Sequence, residues 1–259
     1  MLRVLYRIIW TFIYLLCSFV DFVKSMTVSL HKKYTNYYKT LRLEDELKLI
    51  TQAVKHMDKT PSHIVFVIGN ENISFRDLGN VIVWCIAAGV SFISFYDFEG
   101  ELKKEEAHFR SIVSEVHKKY SGYIVWGNKY PANGVQNING TKNGMDFLRK
   151  VKVKMFSLTD GKENIVKVTH ELCKSVKENI LNVSDINQDV IDRMIGVHSG
   201  VPDPDLAVLC GSLCCTYGLL PWQIRVTEFV QVHSHHNMSF EDFLCVLYKY
   251  NKCEQRFGK

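Results

Sequence analysis

What the 259-residue sequence lacks narrows it first. Its 5 prolines and 15 glycines are too few for a collagen-like or low-complexity chain. None of the 8 cysteines forms a C-x-x-C pair, and their spacing fits no zinc pattern. There is no G-x-S-x-G elbow and no internal repeat. Gly69-Asn70-Glu71-Asn72 joins an apolar run to a helical stretch, where α/β folds bind ligands. It lacks a second properly spaced glycine and a lysine, so neither a P-loop nor a dinucleotide fingerprint is present. His233, His235 and His236 are spaced two and one apart, which is not a recognised ligand spacing, and zinc is not expected there.

A charge excess of one sign is also missing from most of the chain. Residues 43–259 hold 25 Lys/Arg against 26 Asp/Glu, so no nucleic-acid-binding face is implied. Residues 1–42 differ, with seven Lys/Arg and one Asp around a single apolar stretch, a pattern that points to a membrane surface. The cysteines sit in apolar text (Cys85 in VWCIAA, Cys245 in FLCVLY), as small core residues do. A chain this long needs no disulfides to hold a core, so the body is expected to face a reducing compartment.

Residues 8–20, IIWTFIYLLCSFV, form a run of thirteen without a charge. A spanning helix takes about 17–25 residues, so a membrane anchor over 1–23 is expected at the short limit, with an interfacial helix as the competitor. No small-x-small cleavage site follows, which argues against a removed signal. Lys24, Lys32, Lys33, Lys39 and Arg42 outnumber Arg3 and Arg7, so the positive-inside rule places the body in the cytosol. Sequons at Asn72, Asn139, Asn182 and Asn237 pull weakly the other way.

Residues 24–40 are polar and aromatic and are expected to form a linker. Leu43, Leu47, Ile50, Val54 and Met57 then recur at helical spacing. Short apolar runs at 63–69, 90–97, 122–127, 151–157, 204–210 and 225–232 predict strands. Helices are predicted between them: one from Ser74 to about Ala88, one over 102–119, one after Asp160, and a short one over Asn187–Ile195. A last helix starts at Ser239, and residues 128–145 read as a surface loop. The expected fold is α/β: a mostly parallel central sheet of about six strands flanked by helices, in one domain over 41–259.

Several motifs occur in order: Pro61-x-His63-Ile64-x-Phe66, Phe95-Tyr96-Asp97, and Pro202-Asp203-Pro204-Asp205-Leu206. They are followed by Leu220-x-Trp222 with Thr227-Glu228, and by Arg256-x-Gly258. Over residues 61 to 259 this text resembles the cis-prenyltransferase family, which builds polyprenyl diphosphates from isopentenyl diphosphate. The departures fall on the chemistry. The family's magnesium-binding Asp falls at Gly69, and the arginines that bind diphosphate fall at Leu209 and Cys215. A site that stabilises two diphosphates needs cations and a metal ligand.

The combination resembles the branch of non-catalytic subunits (Nogo-B receptor type) of the eukaryotic dehydrodolichyl diphosphate synthase complex. That resemblance implies a degenerate domain, inactive alone, that anchors and stabilises a catalytic cis-prenyltransferase subunit on the endoplasmic reticulum membrane. It implies that Arg256, Phe257 and Gly258 enter the partner's active site and contact isopentenyl diphosphate, while the partner holds Mg2+. It also implies elongation of farnesyl diphosphate toward the precursor of dolichol for protein glycosylation. Some of the apolar surface over 204–210 and 225–232, with Trp222 and Phe229, is expected to meet that partner. The rival expectation is a membrane receptor or sterol-trafficking scaffold without enzyme chemistry.

Overall fold

The computed structural model describes residues 2–38, 42–127 and 149–254. The expected loop over 128–145 and the Arg256-Phe257-Gly258 segment lie outside the described residues. The chain divides into two compact units, Met1–Asp45 and Glu46–Lys259.

The first unit is dominated by α1 (Leu2–Tyr38). It runs without a break across the expected boundary at 23 and through the residues expected to form a linker. The expected spanning helix finds no support here: among the described residues no helix is long and apolar enough to cross a membrane. Arg7 and Asp21 bound the uncharged residues 8–20. That uncharged run rises only about 20 Å, against about 30 Å of bilayer hydrocarbon.

The second unit carries a six-stranded sheet, built from β1 (His63–Ile68), β2 (Phe92–Asp97), β3 (Ile124–Trp126), β4 (Val151–Phe156), β5 (Leu206–Cys210) and β6 (Glu228–Val232). The strand order is β3-β4-β2-β1-β5-β6, and every neighbouring pair is parallel. The central strand β1, HIVFVI, is buried along its whole length, as a strand covered on both faces must be. Edge strand β6 buries only Val230, and Phe229 is 42% exposed beside Val226 at 45%. Trp222, also expected near a partner surface, is partly buried against the cluster of Val168, Leu172 and Ile195 and donates its indole N–H to Asp192.

The helices are α2 (Leu43–Lys55), α3 (Phe75–Ala88), α4 (Glu101–Lys104), α5 (Glu106–Val116), α6 (Lys162–Lys177), α7 (Gln188–Ser199) and α8 (Phe240–Lys252). The single helix expected over 102–119 is broken at Glu105 and ends as a tight 3-10 turn from Lys118. Ser74 caps α3 and Ser239 caps α8, each accepting the N–H of an Asp three residues on. Asn187 does the same for α7 by accepting the N–H of Val190. The central strands and α3 form the core, with Phe66, Phe95, Phe109 and Tyr96 fully buried.

Direction matters for function. All strands point the same way, so the sheet has a carboxyl end and an amino edge. Helix α8 starts beside the loop after β6 and returns over 13 residues, a rise of about 20 Å, which matches the depth of the sheet. It finishes at the amino edge, where Lys59, just ahead of β1, donates its backbone N–H to Asn251 Oδ1 at 3.0 Å.

Candidate functional site

An open parallel sheet binds ligands at the carboxyl ends of its strands, where the strand order switches direction. Here that place is the end of β1, with β2 and β5 on either side. Gly69 follows β1, and its N–H donates to the carbonyl of Cys210 at 3.2 Å. A Cβ on Gly69 would lie 2.6 Å from that same oxygen and 3.3 Å from Tyr217 Oη. The position at which the resemblance puts a metal-binding Asp therefore has no room for a side chain.

The filling comes from the segment after β5. Tyr217 sits in the left-handed region at φ 50°, and its carbonyl accepts the phenol of Tyr96 at 2.7 Å. Burial, then the nearby carboxylates of Asp97 and Asp160, push the Tyr96 phenol up to about 12, so it stays a donor. Leu219 and Leu220 then bury themselves against Val65, Val67, Phe156, Ala207 and Leu209. The space beside Gly69 is thus taken by the Cys210 carbonyl and the Tyr217 ring.

The charged groups nearby are committed to the fold. Asp97, at the end of β2, accepts the N–H of Glu101 at 2.6 Å and of Leu102 at 3.2 Å, which starts α4. Burial moves its carboxyl upward against those donors. Leu209 and Cys215, where diphosphate-binding arginines would fall, supply no cation. Leu209 is buried in the sheet, and Cys215 is exposed with its sulfur accepting the N–H of Tyr217 at 3.4 Å.

One cluster escaped the sequence reading. Glu71, His235 and His236 bring possible ligand atoms within 4.8 Å of one another. Spacing alone paired His235 with its histidine neighbours; the sheet adds Glu71 from 164 residues away. His235 Nε2 accepts the N–H of Ser74 at 3.0 Å, so the proton lies on Nδ1, which donates to Glu71 Oε2 at 2.9 Å. Ser234 Oγ donates to the same carboxylate oxygen at 2.8 Å, and His236 Nε2 donates to the Asn72 carbonyl at 2.6 Å. With both nitrogens of His235 engaged, no lone pair of that ring is left for a metal, and His233 is not in the group. Burial holds the buried His235 ring below its ordinary range, with His236 adding to the effect and Glu71 opposing it. These residues fasten the loop after β1 to the loop after β6. They do not fit Mg2+, which takes oxygen ligands in an open octahedral shell.

The motifs that survive lie at the other end. Asp205 Oδ2 accepts the N–H of Ser62 at 2.7 Å and of His63 at 2.9 Å. The His63 ring bridges the Pro202 carbonyl (2.7 Å) and Ser94 Oγ (2.8 Å). Thr227 Oγ1 donates to the Pro204 carbonyl at 2.6 Å, and Glu228 N to the Asp205 carbonyl at 3.0 Å. The P-x-H, P-D-P-D-L and T-E motifs thus meet at the amino edge and align β1, β5 and β6.

No protein-family model matches the chain. It is similar to the dehydrodolichyl diphosphate synthase complex subunit NUS1 of Mus musculus, 35% identical over 208 residues, which cover 80% of this chain and 68% of that protein. The NUS1 subunit of Homo sapiens is 33% identical over 207 residues, covering 79% of this chain and 69% of that one. Among solved structures, the fold is similar to lavandulyl diphosphate synthase from Lavandula x intermedia, with a TM-score of 0.54, 15% identity, and coverage of 77% of this chain and 99% of that chain. The identity to the two mammalian subunits places the chain in the NUS1 family of dehydrodolichyl diphosphate synthase complex subunits.

Proposed function

We propose that this chain is a non-catalytic but required subunit of a heteromeric cis-prenyltransferase. The complex condenses isopentenyl diphosphate onto farnesyl diphosphate and makes the long polyprenyl diphosphate from which dolichol for protein glycosylation derives. This chain stabilises the catalytic partner and supplies Arg256, Phe257 and Gly258 to the partner's isopentenyl diphosphate site. Mg2+ is held by the partner, since the residues at the end of β1 do not fit it.

The observation that carries this reading is the path of α8. It ends at the amino edge of the sheet, and Arg256 lies only two residues past Glu254, a reach of about 7 Å. The filled position at Gly69 is a strand length away, about 20 Å. A guanidinium launched there serves a phosphate on another chain. Both residue types suit diphosphate binding, because a guanidinium forks onto phosphate oxygens and a glycine lets backbone N–H groups approach closely. Exposed Phe229 and Val226 on and beside edge strand β6 offer apolar surface for the partner.

The expected site of action is the endoplasmic reticulum membrane, with the second unit facing the cytosol. The side chains of Trp10, Phe12, Leu15, Leu16 and Phe19 on α1 are exposed within this chain and suit the interface of a bilayer. The deciding experiment is to purify the chain alone and with a catalytic cis-prenyltransferase, and to assay each for Mg2+-dependent isopentenyl incorporation. Activity is expected only together, above that of the partner alone. Chain elongation by the isolated chain would overturn the reading.

A further inference from the structure

Helices α6 and α7 and the connection between them line a groove of about 410 Å³. Leu172, Ile180, Leu181, Val190 and Met194 give it aliphatic walls, and Arg193 is its charged lining residue. Four of those five also belong to the apolar cluster that packs α6 against α7, with Leu172 buried and Leu181, Val190 and Met194 partly buried. The fifth, Ile180, stands at the rim and is 73% exposed.

The backbone holds Ile180 in that place. Asn179 ends α6 in the left-handed region at φ 57°. Its N–H donates to the Val176 carbonyl at 3.1 Å, and the N–H of Ile180 donates to the Ser175 carbonyl at 2.9 Å. This is a Schellman closure, which is commonly accompanied by an apolar contact between the two residues that stand here as Ile180 and Ser175. A serine offers no such partner, so the isoleucine side chain is left at the groove. The charge beside it is also unspent. Arg193 is exposed and makes no ion pair or hydrogen bond among the described residues. Its neighbours are engaged elsewhere: Asp192 accepts the Trp222 indole and lies 3.4 Å from Arg225, and Lys174 lies 3.9 Å from Glu178.

We propose that the groove between α6 and α7 binds a single-chain aliphatic anion, with its chain along Leu172, Leu181, Val190 and Met194, covered by Ile180, and its carboxylate or phosphate on Arg193. Three features select that class. The volume falls in the range of about 300–1,000 Å³ usual for small-molecule sites. Seven residues line the groove, far from the roughly 20–30 a side of a stable protein interface. The walls are aliphatic and no aromatic ring lines them, so a hydrocarbon chain gains burial there while a flat ring gains no stacking. An unpaired guanidinium at the end of an apolar trough then favours an acid head, onto which it can fork.

The experiment uses the full chain in phosphatidylcholine vesicles and a decanoate probe with a diazirine at the end of its chain, the labelled peptides being mapped by mass spectrometry. Saturable labelling is expected within residues 172–194, whereas labelling of the apolar α1 is expected to rise without saturation and serves as the internal control. Unlabelled decanoate and decyl phosphate are the two competing arms. Suppression by either supports the site, and the stronger of the two names the head group. Decyltrimethylammonium is expected not to compete. Arg193→Gln, a change at an exposed position, is expected to raise the half-saturating concentration about three- to tenfold while leaving competition by decanol unchanged. Val190→Trp fills the trough and is expected to abolish saturable labelling. Because that residue is partly buried, Ile180→Asp repeats the test at the exposed rim, where it repels an acid without disturbing the core. Labelling confined to α1 overturns the proposal, as does equal competition by the cationic amphiphile. Saturable labelling at 172–194 with the same half-saturation in Arg193→Gln overturns it too, since the arginine then recognises nothing.

Discussion

The two ends of the sheet are built in opposite ways. At the carboxyl end, where a prenyltransferase works, backbone and side chains have closed in: the Cys210 carbonyl and the Tyr217 ring fill the space a residue at 69 would need. At the amino edge, the His63–Pro202 and Asp205–Ser62 contacts still align the strands, and α8 delivers its carboxyl terminus there. Under the proposed role a subunit that leaves turnover to its partner has no use for an open site there, and filling it gains buried apolar area at about 25 cal/mol per Å². It still needs the frame, because the frame carries the exit.

The most disruptive way to challenge that contrast is Gly69→Asp. If the site had only lost its metal ligand, restoring the carboxylate would restore a site. The 2.6 Å approach to a backbone carbonyl predicts instead a loss of about 3 kcal/mol in stability, because a β-strand carbonyl cannot swing aside as a side chain can. Urea unfolding of the second unit reads it, and an isotope assay of the isolated variant is expected to show no Mg2+-dependent elongation. A variant as stable as the parent, or one that elongates, would show the crevice to be open.

A pH titration probes the amino edge. Burial holds the His63 imidazole down at about 4, against 6.5 when exposed. Between those values the unfolded chain binds the proton and the folded chain does not, so this contribution is complete above 6.5 and is lost as pH falls toward 4. A shift of that size corresponds to about 3 kcal/mol. Stability measured by denaturant from pH 7 to 4 is expected to fall steeply, and His63→Gln to flatten the slope while lowering the plateau. An unchanged slope in that variant would remove His63 from the frame.

A smaller effect separates fold from function at the carboxyl end. Glu71→Gln retains an acceptor for His235 and Ser234 but loses the charge, and is expected to cost about 1–2 kcal/mol of stability. Isopentenyl incorporation by the assembled complex is expected to stay within about twofold, since a neutral acceptor keeps the geometry. Collapse of turnover without loss of assembly would mean that this end still takes part in the chemistry.

Most of the fold was legible in the sequence because its signals are local. Six apolar runs became six parallel strands, and Ser74, Asn187 and Ser239 cap the helices they precede. The substitution at Gly69 was legible as a missing carboxylate, but its meaning was not. Only the register of β1 against β5 shows that the Cys210 carbonyl now stands in the way. The same holds for Glu71 with His235 and for Lys59 with Cys253, pairs separated by 164 and 194 residues that no spacing rule connects. The membrane expectation is of a different kind, because it rests on one run near the amino terminus. Thirteen uncharged residues suggested a span, and among the described residues no helix is long and apolar enough to cross a membrane.

The central claim is that this chain works through its exit and not through its crevice, and Arg256→Ala in the assembled complex tests it most directly. The account predicts normal assembly and a loss of turnover of about ten- to a hundredfold, the worth of one charge-assisted phosphate contact, with Arg256→Lys recovering only part of it. Lys259→Ala, a nearby change of the same charge, is expected to be mild. Turnover of isopentenyl diphosphate at the parent rate and affinity by Arg256→Ala complexes would contradict the account and leave the chain a scaffold alone.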